Sequence, residues 1–467
     1  MPSLLVLIPF SSILILNLPF KKLVKKIGLE LVGVLAIFQI IVAAAHPLAF
    51  WDFRYDYFAR FFAFGFIADN LTRITLLSIG IVLLISLLVG RATLSDEKQR
   101  ANFANLLILA LLGMNITVLT SDIFSTYVFI EVIALSSFIL VAMTKDQFAI
   151  EGAFKYIILS SIASVMMLLS IGILILFAGG ASFENITLAF GNLQTSPLLK
   201  IGLGLFLCGL FIKSGIVPFH GWLPDVYSAS SPAVSIFLAG IVTKVSGVYV
   251  LLRLMVSVFG GIAIIGKTLM FMGTLSIITG AVLALTQNNF KRLLAYSSIS
   301  QVGYIILAAG CATPLAILGA AFHFFNHAIF KSLLFTNAAS IEKETGTLEM
   351  DKLGGLAQKM PITGTTSIIA FLSASGIPPL AGFWSKLIII IALWKAGNIA
   401  YSVIAMLASI ITLQYFLYLQ RLVFFGKTPD NNIKIREAGW DLLLPQIILA
   451  AIIVIVGICA PWMLTWR

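Results

Sequence analysis

Runs of about twenty apolar residues, each long enough to cross a hydrocarbon core about 30 Å thick as a helix, recur fourteen times along this chain. They lie near 3–20, 27–45, 69–89, 103–119, 124–143, 152–178, 198–217, 232–252, 268–286, 293–312, 314–340, 362–396, 401–425 and 442–464. Lipid leaves no backbone polar group a solvent partner, so segments of this kind must be helices or strands of a closed barrel. None of these runs alternates with a period of two, which leaves the helix. Only 10% of residues are charged, against roughly 25% in soluble domains. The expectation is an all-α polytopic membrane protein with about fourteen transmembrane helices. Four lysines, Lys21, Lys22, Lys25 and Lys26, follow the first run rather than precede it, so a retained helix is expected there and not a cleaved signal peptide.

The net charge of +11 would suggest nucleic-acid binding in a soluble chain. Here most of the basic residues lie in short loops, where they bear on topology and on lipid head groups instead. Loops after odd-numbered runs, with their flanks, hold seventeen Lys and Arg residues. The even side holds seven: Arg54, Arg60, Lys200, Arg253, Lys267, Lys395 and Arg467. The odd loops are therefore expected on the cytoplasmic side, with both termini outside. Three cysteines, Cys208, Cys311 and Cys459, stand far apart in apolar runs, a pattern that argues against disulfides, zinc and iron–sulfur clusters.

The remaining six basic residues fall within the runs: Arg73, Lys155, Lys213, Lys244, Lys331 and Lys386. One acid, Glu131, does so too. A charge at the bilayer centre costs at least about 2.5–3.5 kcal/mol, so several together imply a polar path through the bundle. Arg73 follows Asp69 by four residues near a helix end, where an interfacial ion pair is expected. Lys155 lies near a helix start and can either snorkel to the head groups or join the path. Glu131, Lys213, Lys244 and Lys386 have apolar sequence beside them and no such exit. Burial lowers the proton affinity of a lysine and a nearby carboxylate restores it, so Lys213 beside Glu131 is the expected proton-handling pair.

Lys213 opens the segment KSGIVPFHGWLP, in which Pro218 and Pro224 are expected to break a helix. Far downstream, SGIPPLAGFWSK brings Pro378 and Pro379 close to Lys386. SGIVPFHG and SGIPPLAG agree at five of eight positions. A weaker echo sets FKYIILSSIAS against FKSLLFTNAAS, aligning Lys155 with Lys331. The echoes are separated by five helices, an odd number, so the second unit must cross from the opposite side. Inverted repeats with broken helices are the architecture of secondary transporters, whose ion sites lie at the breaks.

Four histidines remain: His46, His220, His323 and His327. His46 falls in an expected outer loop. His323 and His327 are four residues apart, on one helix face with Lys331. That stripe suits a proton relay; a metal or haem would need further ligands from elsewhere, and no Cys/Asp/Glu cluster supplies them.

Four segments, GIVPFHGWLPDVYSASSPAVSIFLAGIVTKVSGVYVLLR, QNNFKRLLAYSSISQVGY, FNHAIFKSLLF and SGIPPLAGFWSK, together resemble the antiporter-like proton-channel subunits. That family serves respiratory complex I, group 4 membrane-bound hydrogenases and Mrp-type sodium/proton antiporters. The resemblance, from about Asn102 to Phe425, implies helices 1–3 in 1–101, a first repeat of helices 4–8 in 102–253, a second of helices 9–13 in 254–425, and helix 14 in 426–467. It implies proton-translocation roles for Glu131, Lys213, Lys244, His323, His327, Lys331 and Lys386, and a place in a prokaryotic cytoplasmic membrane beside further antiporter-like and small subunits. The segment DIFSTYVFIEV and the AGIVTKVSGVYVLLR stretch look most like the Mrp D-type branch and its hydrogenase counterparts. No nucleotide, flavin, quinone or cluster motif is visible, so no cofactor is expected and any redox chemistry belongs to partners. A complex I antiporter-like subunit, a self-sufficient solute transporter, and an intramembrane metal or haem enzyme stand as alternatives. Whether protons or sodium ions move stays open.

Overall fold

The computed structural model describes residues 3–18, 21–45, 65–190, 196–427 and 435–465. His46, Arg54, Arg60 and Arg467, assigned above to loops and the C-terminus, lie outside the described residues. The described chain is helical, with three isolated bridge pairs and no strand. In order the helices are α1 (Leu4–Leu16), α2 (Lys21–Ala44), α3 (Asn70–Thr93), α4 (Glu97–Leu119), α5 (Ile123–Val141) and α6 (Gln147–Ala178). Next come α7 (Phe183–Ala189), α8 (Pro197–Ser214), α9 (Trp222–Ala229), α10 (Pro232–Phe237), α11 (Val250–Ser257), α12 (Ala263–Leu285) and α13 (Phe290–Cys311). The last are α14 (Pro314–Thr345), α15 (Leu356–Lys359), α16 (Pro361–Ser375), α17 (Ala381–Lys395), α18 (Ile399–Val423) and α19 (Trp440–Thr465).

Twelve helical stretches among the described residues are long and apolar enough to cross a membrane. The shorter α1 and the pair α16–α17, each half only 15 residues long, account for the other two apolar runs of the sequence. The chain forms two compact units, one of Met1–Leu84, Ser95–Gly215 and Ile241–Gly266, the other of Ile85–Leu94, Ile216–Gly240 and Lys267–Arg467.

Within the first unit, α8 ends on Gly215 in the left-handed conformation at φ 64°. Within the second, α16 ends the same way on Gly376 at φ 83°. Glycine carries no Cβ penalty there, so both helices stop at the Ser-Gly dipeptide of the repeated motif. Proline follows within three residues in each case, at Pro218 and at Pro378–Pro379, and supplies no N–H with which to resume the ladder. Pro224 does not break a helix, contrary to the sequence expectation. It sits in the first turn of α9, where the proline nitrogen has no intrahelical partner to lose.

The stretch between α10 and α11 is π-helical at Leu238–Val242 and Lys244–Tyr249. Each π turn inserts a residue into the α ladder and re-aims the side chains beyond it. No periodicity in the sequence announces it.

Candidate functional site

In the first unit, α5, α6 and α8 bring four side chains together. Lys213 is in the last turn of α8, and its Nζ donates to Glu131 Oε1 at 2.8 Å and to Ser160 Oγ at 2.7 Å. Ser164 Oγ, one turn on from Ser160 along α6, donates to the same Glu131 oxygen at 2.7 Å. The expected pair is therefore present, and two serines of the FKYIILSSIAS stretch, not singled out from the sequence, complete its coordination. Its members are unequally covered: the Lys213 side chain is 2% exposed and that of Glu131 27%. A buried ammonium needs such compensation, since losing its partner leaves an uncompensated charge.

Lys244 opens the second π-helical segment and is buried. Gly247, one turn later, lies against the α8 terminus so closely that a Cβ there would meet Ser214 N at 2.6 Å. Absence of a side chain thus lets the π-helical segment seat on the residue next to Lys213.

Arg253, grouped by sequence with the topology-setting residues at span ends, is buried. Its guanidinium grips Asp69 with both terminal nitrogens, at 2.6 and 2.8 Å, and donates to Thr72 Oγ1 and to Tyr249 Oη. Tyr249 in turn donates to the Val118 carbonyl at 2.7 Å. Partial burial pushes the Asp69 carboxyl up, but the Arg253 hydrogen bonds and charge, with Thr72, outweigh this and hold it down at about 2. Arg73, the partner expected for Asp69, hydrogen-bonds the Ala43 and Ala44 carbonyls at the end of α2. Spacing favours the local pair, but the planar guanidinium of Arg253 meets the carboxylate fork-to-fork. The one sequence signal for this cluster is Tyr249, four residues before Arg253 on the same helix face.

In the second unit, α14 presents His323, His327 and Lys331, all buried. The two imidazoles stack nearly parallel, at 9° and 6.4 Å between centroids. His323 Nδ1 is 2.9 Å from Ser385 Oγ on α17. Lys331 donates to the Leu294 carbonyl at 2.8 Å and, over a shorter distance, to Ser297 Oγ on α13. Lys386 is buried with its Nζ 4.5 Å from the Tyr304 ring centroid, a cation–π contact, and among the described residues that nitrogen has no hydrogen-bond partner. Among the described residues no three His, Cys, Asp or Glu side chains gather into a metal-holding group.

Lys155 and Lys331, aligned by the weaker echo, occupy different environments. The Lys155 side chain is 42% exposed and pairs with Glu151 one turn before it at 2.7 Å, whereas Lys331 is fully covered. Short identities between helices of equal length do not fix depth. The QNNFKRLLAY stretch serves as a staple: Asn289 caps α13, Lys291 meets Glu342 at 2.8 Å, and Arg292 meets Asp225 at 2.7 Å.

Fold and site together define a polytopic helical membrane protein with lysines buried in its interior. The family described as NADH:quinone oxidoreductase/Mrp antiporter, TM, matches residues 120–412, and the chain belongs to it. It is 28% identical over 459 residues to the D subunit of the Na(+)/H(+) antiporter of Alkalihalophilus pseudofirmus, covering 97% of this chain and 93% of the relative. It is 32% identical over 367 residues to the N subunit of the NADH-quinone oxidoreductase of Desulforudis audaxviator, covering 77% and 73%. The fold matches a chain in the structure of the Mrp complex from a Dietzia species with a TM-score of 0.89 at 23% identity, over 99% of this chain and 95% of that one.

Proposed function

We propose that this chain is a cation-translocating, antiporter-like subunit of a multisubunit membrane complex, moving protons, or protons against sodium ions, and carrying no redox centre of its own. The observation that carries the reading is the Glu131–Lys213 ion pair at 2.8 Å, set at the glycine-terminated end of α8. A lysine held this way changes its proton affinity when its carboxylate moves or is neutralised. The second unit contributes its own cluster of Lys386, His323, His327 and Lys331. Lys155 is left out of the route because its exposed pair with Glu151 belongs to the helix surface. The alignment with the sodium/proton antiporter relative spans nearly the whole of both chains, which supports the Mrp-type branch over the quinone oxidoreductase branch.

The inverted repeats are set at 102–253 and 254–425, and the basic loops place both termini on the outer face of a prokaryotic cytoplasmic membrane. The test is coupled ion movement in membrane vesicles containing the intact complex, with Lys213→Ala and Glu131→Ala. Loss of coupled flux with the complex still assembled is expected; near-normal flux in both variants overturns the proposal. Running the assay with and without sodium identifies the ion.

A further inference from the structure

Helices α14 and α17 meet residue against residue along one antiparallel seam. Gly319 lies against Ile389, where an added Cβ would meet the isoleucine side chain at 2.9 Å. One turn on, His323 Nδ1 faces Ser385 Oγ at 2.9 Å. Next, Asn326 Nδ2 donates to the Ala381 carbonyl at 2.9 Å. The middle contact decides where protons sit on His323. A serine hydroxyl has one hydrogen to donate and lone pairs to accept with. Ser385 Oγ is 3.0 Å from the Gly382 carbonyl one turn earlier, and a carbonyl can only accept. If Ser385 gave its hydrogen to His323, the carbonyl contact would lose its donor. If Ser385 gives it to Gly382, the oxygen remains free to accept from Nδ1–H, and both contacts are hydrogen bonds.

We propose that Ser385 is a positioning residue that locks neutral His323 as the Nδ1–H tautomer, leaving Nε2 as the nitrogen that gains and loses a proton. This deepens the ion-translocating reading and rests on it for its purpose, though not for its geometry. The lock has a chemical consequence. Both the neutral ring and the imidazolium carry a hydrogen on Nδ1, so protonation at Nε2 leaves the Ser385 bond intact and needs no ring flip. Ser385 is also bonded in sequence to Lys386. The titratable groups around His323 are Tyr304 from α13, whose ring is 5.8 Å away, Lys386 from α17 over that same tyrosine ring, and His327 on its own helix. The Tyr304 hydroxyl is itself engaged with the Ala405 carbonyl at 2.7 Å. Helices α10 and α16 carry no titratable side chain, and Asp441 of α19 pairs with Lys343 at the C-terminal end of α14.

The test is nitrogen NMR on the full-length chain labelled at histidine and reconstituted in lipid bilayers. The chain has four histidines, so subtraction with His323→Gln assigns the ring. The wild-type protein is expected to give a protonated Nδ1 and a bare Nε2 for neutral His323. Ser385→Ala should yield a tautomer mixture, and Ser385→Thr, which keeps the hydroxyl, should restore the single form. A wild-type Nε2–H tautomer, or a Ser385→Ala spectrum identical to wild type, overturns the assignment. A parallel flux measurement on the intact complex should show the pH midpoint of Ser385→Ala displaced by roughly half a unit or more, with Ser385→Thr near wild type. If the NMR result holds and the His323→Gln complex still moves ions normally, the lock stands and the transport role given to His323 falls.

Discussion

Lys213 Nζ and Glu131 Oε1, 82 positions apart in the chain, meet at 2.8 Å, bracketed by Ser160 and Ser164 from a third helix. The four groups act as one unit, because Ser164 holds the oxygen that Lys213 also uses. Lys213→Ala and Glu131→Ala should each reduce coupled flux by about 100-fold, the scale of losing a positioned proton-transfer group. The double variant should be no worse than the poorer single one, as expected for residues in direct contact. Flux in vesicles, with subunit composition checked on purified complex, measures this.

Lys386 should separate transport from stability. Its ammonium has the Tyr304 ring beneath it and no hydrogen-bond partner among the described residues, so its burial is a cost that the cation–π contact only partly offsets. Lys386→Met keeps the length and removes the charge. The variant should melt at or above the wild-type temperature in detergent while flux is lost. A lower Tm with flux intact would assign Lys386 to the scaffold.

Two glycines set how closely helices approach the breaks. A Cβ on Gly457 would stand 2.5 Å from Pro379 O and 2.6 Å from Ala381 N, and one on Gly247 would stand 2.6 Å from Ser214 N. Backbone atoms cannot swing aside as a flexible side chain would. Gly457→Ala and Gly247→Ala should each destabilise by about 1–3 kcal/mol, the usual cost of overpacking. Gly204→Ala, at a helical position with nothing within 4 Å, is the matched control and should leave the Tm within error.

Asp69 ties stability to acid. Its carboxyl lies at about 2 when folded, below its ordinary 3.8, so folding is favoured by the ionised form. That contribution is complete above 3.8 and is lost as pH falls towards 2. Asp69→Asn should therefore be less stable than wild type at pH 6, with the gap between them narrowing as the pH is lowered from 4 to about 2. Thermal melts of the two proteins across that range test it. A constant gap would show that the Arg253 contact depends on shape and not on charge.

The class of fold and half of the site were legible in the chain itself. Apolar runs of bilayer length compel helices because lipid offers the backbone no partner. Ser-Gly followed by proline marks both helix ends, since glycine alone adopts the left-handed cap without cost. Lys213 and Glu131 stood out because ionised groups are scarce and costly within such runs. Apart from the Glu131–Lys213 pair, contacts between distant segments were not legible. Arg253 reads as a topology residue near a helix end, and only the packing of α11 against the start of α3 gives it Asp69 and Thr72. Lys155 and Lys331 look equivalent as letters, yet one is exposed on α6 and the other covered in α14. Ser385 carries no signal at all, because a serine acquires meaning only from the imidazole and carbonyl that flank it. Sequence thus determined where helices form, where the two Ser-Gly ends stop, and that Lys213, Lys244, Lys331 and Lys386 lie within apolar runs. These follow from chain-local costs of desolvation and backbone geometry. Tertiary structure decided the partners of Arg253, Lys331 and Lys386 and which hydrogen each polar atom shares, because those depend on distances between segments far apart in the chain.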